Sequence, residues 1–487
     1  MKENKKFLIA FPVELVKNYY SSDERIIFID NKSISFVING NRKSISHSSQ
    51  SDNLKNISSF DYDNILNKVK DYLPVWSRWV DKGDQYQQYF RKAIFETQKI
   101  YSIINELNIC GAVFLTSVSH HLDSLILEMA CSEADIPQFF LYNLYASEFG
   151  GRYGRTLVFR QERDLKDRSV IKNRVSNYKY DEDLKKILSY ARKRNSNPAV
   201  FNFRTSFYYY TFLSLFFDKL KFFTKKTLQL IGIIKRPENE IGSFPNYSLI
   251  THIKQIKYQK KGLEYYKKNI VSKKELEEYK NFKNILIAAH FQPEATSFPE
   301  GGKLNNHIDI VYEIRKKGFE GVIFYKEHPA SFLYKDTYAG PTRVGFCRSV
   351  EYYKHLESLG CIFLDTNMNL SMDENENDWY IPVTITGSIA LERSMEGLHT
   401  IISGHPWYKG LPGSINLQDL KSLKDINNDW LTINSEIKKK SYDYLKNLLN
   451  DKTIMNATGV STGINENNQK LDEIFLKEFN KLLDHIN

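Results

Sequence analysis

Between residues 284 and 403 the chain alternates short apolar runs with amphipathic stretches, and four of those runs stop abruptly at polar residues. Asn284 to Ala289 (NILIAA) runs into His290, Phe291, Gln292, Pro293 and Glu294, and Val322 to Tyr325 (VIFY) into Lys326, Glu327, His328 and Pro329. Ile381 to Thr386 (IPVTIT) meets Gly387 and Ser388, and Thr400 to Ser403 (TIIS) meets Gly404, His405, Pro406, Trp407 and Tyr408. Short, wholly apolar runs are the pattern of strands covered on both faces, as in a parallel sheet flanked by helices. The segments at about 306–317, 349–359 and 389–398 read as helices, and a further strand is expected at 361–364. That alternation predicts a doubly wound α/β fold. Ligands in such folds bind outside the carboxyl ends of the strands. If the four strands are neighbours, their polar ends converge on one crevice.

A chain of 487 residues is too long for one core, so two domains with appendages are expected. Cys110, Cys131, Cys347 and Cys361 show no CxxC spacing and read as reduced thiols of a cytosolic protein. The formal charge of +10 permits anionic partners without choosing among them. The opening MKENKKFLIAFPVELVKNYY has an apolar run broken by Pro12 and Glu14, and reads as a first strand rather than a signal peptide. No window reaches the ~18 uninterrupted apolar residues of a spanning helix.

The N-terminal half reads as a second α/β domain. Strands are expected at 6–11, 25–37, 111–117 and from Gln138, helices at 62–72, 84–107 and 120–135, and a polar loop at 40–60. Asp123 stands where strand gives way to helix, and the Gly-rich loop LYASEFGGRYGR carries Glu148. Residues 118–123 and 145–155 would form this domain's own crevice. A charged, helical stretch follows at 160–200. Between Arg204 and Arg236, aromatics are interleaved with Lys219, Lys221, Lys225 and Lys226. This suits a helix lying in an anionic membrane interface, or an aromatic helix pair packed between domains. No RNA- or DNA-binding motif accompanies it, so nucleic acid is not an expected partner. A lysine-rich helical connection is expected at 248–280, and helices at 435–450 and 466–485.

In the C-terminal crevice, Thr386, Gly387 and Ser388 sit between strand and helix. A helix N-terminus offers N–H groups and a positive dipole end to a phosphate, though Ser and Gly are also ordinary cap and turn residues. Glu392, one helical turn on, suits the hydroxyls of a ribose, or simply solvent. His328 can donate to a phosphate oxygen, with Pro329 fixing the chain beyond it, or be structural. Gln292 and Glu294 suit a base or sugar, and Trp407 and Tyr408 an aromatic wall or core. Asp373, Glu374, Glu376 and Asp378 read as a solvated loop, so no metal is expected.

HFQPEATSFPEGG (290–302), YKEHP (325–329), TGSIALERSMEG (386–397) and GHPWY (404–408) together resemble the capsular and surface polysaccharide biosynthesis family. That family contains Kdo and related nonulosonate transferases. The resemblance is strongest over 284–410 and weaker over 1–160. It implies a GT-B-like glycosyltransferase, two Rossmann-like domains facing a central cleft; the helical basic-aromatic insertion at 204–236 is read from its own residues and is no part of the resemblance. The boundaries would be 1–160 for the acceptor domain, 161–280 for the insertion and connector, 281–415 for the nucleotide-sugar domain and 416–487 for helices packing across the domains. The donor is expected to be a CMP-activated 3-deoxy-ulosonic acid (Kdo, sialic, pseudaminic or legionaminic type), a substrate rather than a cofactor. It would be held by Gln292, Glu294, Lys326, Pro329, Thr386, Gly387, Ser388, Glu392 and His405. His328 would bind the CMP phosphate and help it leave, and Asp123 and Glu148 are the candidate carboxylates toward a glycan or glycolipid acceptor. The expected location is cytoplasmic, on the inner face of the cell membrane, with 204–236 as the contact. The rival readings are a transferase using a UDP- or GDP-sugar and a non-catalytic glycan-binding capsule-assembly protein.

Overall fold

The computed structural model describes residues 6–10, 14–30, 35–38, 41–44, 62–71, 83–115, 122–144, 155–162, 168–171, 220, 224, 227–228, 249–280, 282–290, 292, 299–328, 331, 348–366, 368, 379–424, 426, 428–455, 473 and 476–484. The chain divides into two compact units, Met1–Ile187 with Asn239–Ser243 and Lys446–Asn487, and Leu188–Glu238 with Phe244–Leu445. Each is built on its own sheet, with a parallel centre and antiparallel edges in the first unit and parallel throughout in the second.

The first unit contains β1 (Lys6–Ala10), α1 (Glu14–Tyr19), β2 (Ile26–Asp30), β3 (Ser35–Ile38), β4 (Asn41–Ser44), α2 (Tyr62–Asp71), α3 (Gly83–Glu106), β5 (Ile109–Phe114), α4 (Leu122–Glu133), β6 (Gln138–Leu144), β7 (Arg155–Gln161) and β8 (Ser169–Val170). β2, β1, β5 and β6 are parallel neighbours. Phe7, Ile9, Phe28, Val113, Phe139 and Leu141 from these strands join in one core. β3 and β4 extend one edge antiparallel, and β7 with β8 extends the other. The segment 25–37 is therefore two antiparallel strands rather than one, β4 takes part of the expected 40–60 loop, and β8 lies in a stretch expected to be helical. Edge pairing decides all three, because it gives partners to backbone groups that local composition leaves ambiguous.

The second unit contains α5 (Leu249–Lys268), α6 (Lys273–Tyr279), β9 (Asn284–Ala288), α7 (His307–Lys316), β10 (Val322–Lys326), α8 (Val350–Ser358), β11 (Cys361–Phe363), β12 (Ile381–Thr384), α9 (Ile389–Glu396), β13 (Thr400–Ile402) and β14 (Ser414–Asn416). The helices carry their stop and start signals in the sequence. Asn306 and Ser349 cap α7 and α8 through their side chains, Ser272 and Glu275 form a capping box on α6, and Gly397, at φ 90°, closes α9. The six strands are all parallel, in the order β11-β10-β9-β12-β13-β14. By chain order that is 3-2-1-4-5-6, whose direction reverses between β9 and β12.

Residues 249–280, read from sequence as a connection, pack on this sheet: Tyr266 of α5 is fully buried in its core. A Cβ on Gly262 would stand 2.1 Å from the Arg348 carbonyl oxygen, so only glycine lets α5 approach so closely. After β14, α10 (Ser435–Lys452) leads the chain back to the first unit, where β15 (Thr453–Met455) pairs antiparallel with β7. No helix among the described residues is long and apolar enough to cross a membrane. Apart from Leu220, Thr224, Thr227 and Leu228, the stretch 204–236 lies outside the described residues.

Candidate functional site

The polar strand ends foreseen from sequence do meet. β10, β9, β12 and β13 are consecutive neighbours, so His328, His290, Thr386–Ser388 and His405 all follow the carboxyl edge of one sheet. Asp123 stands in the first turn of α4 in the first unit, half-buried. Glu148, Glu294 and Pro329 lie outside the described residues.

Beneath that edge lies a buried polar network that the sequence did not announce. Glu327 is 0% and Arg348 2% exposed, and they pair through Arg348 Nε and Glu327 Oε2 at 2.6 Å. Glu327 Oε2 also accepts from the hydroxyls of Tyr325 at 2.9 Å and Tyr353 at 3.1 Å. Oε1 accepts from the His328 N–H at 2.8 Å and the Ser331 hydroxyl at 2.9 Å. Burial pushes the phenols of Tyr325 and Tyr353 well up, which keeps them protonated as donors. Burial, the largest single influence, would lower the Arg348 pKa; the Glu327 carboxylate together with Tyr325, Tyr352 and Tyr353 outweighs it and holds it well up.

The guanidinium also reaches the segment after β9, donating to Gln292 Oε1 and to the His290 carbonyl, each at 3.2 Å. Gln292 in turn donates to the Asn305 carbonyl. Its amide is thus engaged within the protein. The His290 N–H donates to His307 Nε2 at 3.0 Å. The proton of neutral His307 is therefore on Nδ1, 3.4 Å from the Tyr352 hydroxyl, and Arg348 Nη2 at 3.3 Å is a neighbour rather than a donor. Burial, with Arg348, His290 and His328 nearby, keeps His307 well below the ordinary imidazole range.

At the switch point the turn before α9 is bound to both flanking strands. Thr386 N–H donates to His290 Nε2 at 3.2 Å, Gly387 N–H to Thr384 Oγ1 at 3.2 Å, and the Tyr408 hydroxyl to the Gly387 carbonyl at 2.6 Å. Ser388 occupies the N-cap position but makes no capping hydrogen bond. Its own N–H and that of Ile389 find no acceptor among the described residues. Two amides and a hydroxyl at a helix N-terminus are the groups that bind one phosphate. Glu392 is one turn along the helix, half-buried, and its charge is felt by Tyr380 and Tyr408. His405 donates its N–H to the Glu300 carbonyl at 2.8 Å, and a Cβ on Gly302 would lie 3.2 Å from its Nε2. Lys326 ends β10, and burial depresses its amine to about 8, with Asp365 and Glu327 opposing.

His290 lies inside a motif the sequence made visible, yet its role as a bridge across the switch point depends on strand order. Arg348 had no local signal at all, since its partners are 21, 56 and 58 residues away. Among the described residues, no three His, Cys, Asp or Glu side chains gather as a metal site. No protein-family model matches the chain, and no curated protein matches it.

Proposed function

We propose that the protein is a glycosyltransferase of surface-polysaccharide synthesis, moving a 3-deoxy-ulosonic acid from a CMP donor to a glycan or glycolipid. The observation that carries this reading is the Thr386–Ser388 turn. It stands at the switch point of a 3-2-1-4-5-6 parallel sheet and leaves two N–H groups and one hydroxyl for a ligand. That complement fits the single phosphate of a CMP-sugar better than a diphosphate, and the resemblance of 284–410 to nonulosonate transferases points the same way.

In this reading the bond between the anomeric carbon and the phosphate oxygen breaks, and CMP departs as a phosphate monoester. The α9 N-terminus and Ser388 stabilise its growing charge, and His328 donates a hydrogen bond or proton to it. The acceptor oxygen forms the new bond to the anomeric carbon and gives up its proton to a carboxylate of the first unit, Asp123 or Glu148. The two units would then form a GT-B arrangement, with 204–236 on the membrane face.

Calorimetry with CMP, UDP and GDP tests the donor class. CMP should bind most tightly, and Ser388→Ala should weaken it. Tighter UDP or GDP binding would assign the chain to the sugar-diphosphate transferases. CMP-sugar binding with neither transfer nor hydrolysis would leave a glycan-assembly protein without catalysis.

A further inference from the structure

His290 is 8% exposed, and it lies across the switch point from β12. A backbone amide can only donate, so Nε2 must accept from Thr386 and carry no proton. The ring proton is then on Nδ1. The Thr384 hydroxyl, 2.9 Å from Nε2, shares that lone pair as a second donor, while its oxygen accepts from the Gly387 N–H. Gly387 fits because it lacks a side chain: a Cβ there would stand 2.5 Å from Thr384 Oγ1 and 3.3 Å from His290 Nε2. The backbone of His290 is itself fixed, by His307 on its N–H and Arg348 on its carbonyl. These contacts take the amides of Thr386 and Gly387 inward and leave those of Ser388 and Ile389 for a ligand.

We propose that His290 is a positioning residue: protonated on Nδ1, it uses its bare Nε2 to hold the Thr386 amide, and so fixes the turn that presents Ser388. The inference deepens the function proposed above and rests on it for the identity of the ligand. It assigns His290 no contact with the reacting atoms.

The test compares His290→Gln with His290→Asn, using the full chain. Glutamine can place its amide oxygen where Nε2 stands, whereas asparagine ends short of it. In ¹⁵N NMR of the parent, Nε2 should resonate as an unprotonated nitrogen and show coupling to the Thr386 amide across the N–H···N bond. His290→Asn should speed Thr386 amide exchange and weaken CMP binding about tenfold each, the scale of one net hydrogen bond. His290→Gln should restore both to within about threefold of the parent. A protonated Nε2, or parent-like exchange and affinity in a folded His290→Asn, overturns the assignment. If the parent binds no CMP while the coupling and exchange results hold, His290 still sets the turn and the nucleotide reading alone fails.

Discussion

Replacing Glu327 with glutamine keeps the side chain's shape and removes the charge that balances Arg348. Oε2 accepts from Arg348 Nε, Tyr325 and Tyr353, and Oε1 from the His328 N–H and Ser331. An NH₂ in place of Oε1 would oppose the His328 N–H, which cannot reverse. In place of Oε2 it would oppose a guanidinium. Either way a cation 2% exposed loses its counter-charge. Breaking a buried pair from one side costs about 3–5 kcal/mol, and without a cavity term the lower end, about 3 kcal/mol, is expected. Arg348→Met should cost a similar amount, since it strands the carboxylate. The double variant buries neither charge and should recover at least about 2 kcal/mol relative to the sum. Urea unfolding followed by tryptophan emission reads this, because Trp379, Trp407 and Trp430 lie in the second unit. The midpoint of that unit should fall by about 1–2 M in either single variant. A loss below about 1 kcal/mol in Glu327→Gln, or additivity in the double variant, would refute the reasoning.

Lys326 predicts a pH dependence. Its folded pKa of about 8 lies below the ordinary 10.5, so between those values the unfolded chain holds a proton that the folded one lacks. Stability therefore rises with pH across that window. The penalty is complete below about pH 8, and about 2 kcal/mol of it should be relieved between pH 7 and 9.5. Lys326→Met should flatten that rise; an equal slope in both proteins would place the lysine in solvent. His328→Ala and Ser388→Ala should each lower transfer at least ~100-fold with little change in melting temperature. Parent-like turnover in either variant would make that residue structural. Gly397→Ala should destabilise the second unit by at least ~1 kcal/mol, because φ is +90° and the new Cβ would stand 2.4 Å from the Asn434 carbonyl oxygen; an unchanged melting temperature would contradict that.

Local sequence determined the elements that are short, apolar and sharply bounded. The runs at 284, 322, 381 and 400 fold as β9, β10, β12 and β13. The helices between them end where Gly318, Gly360 and Gly397 adopt positive φ, a conformation that costs other residues energy. The placement of His328 and Ser388 at strand ends was legible for the same reason. Only the tertiary structure decided the strand order that puts β9 beside β12, and with it the bond from His290 to Thr386. It also decided that Arg348 pairs with Glu327, and that α5 belongs to the second core. Periodicity is a property of neighbours along the chain. A buried charge is tolerable only where a distant segment brings its counter-charge and donors, so its position follows from the completed packing and leaves no local trace.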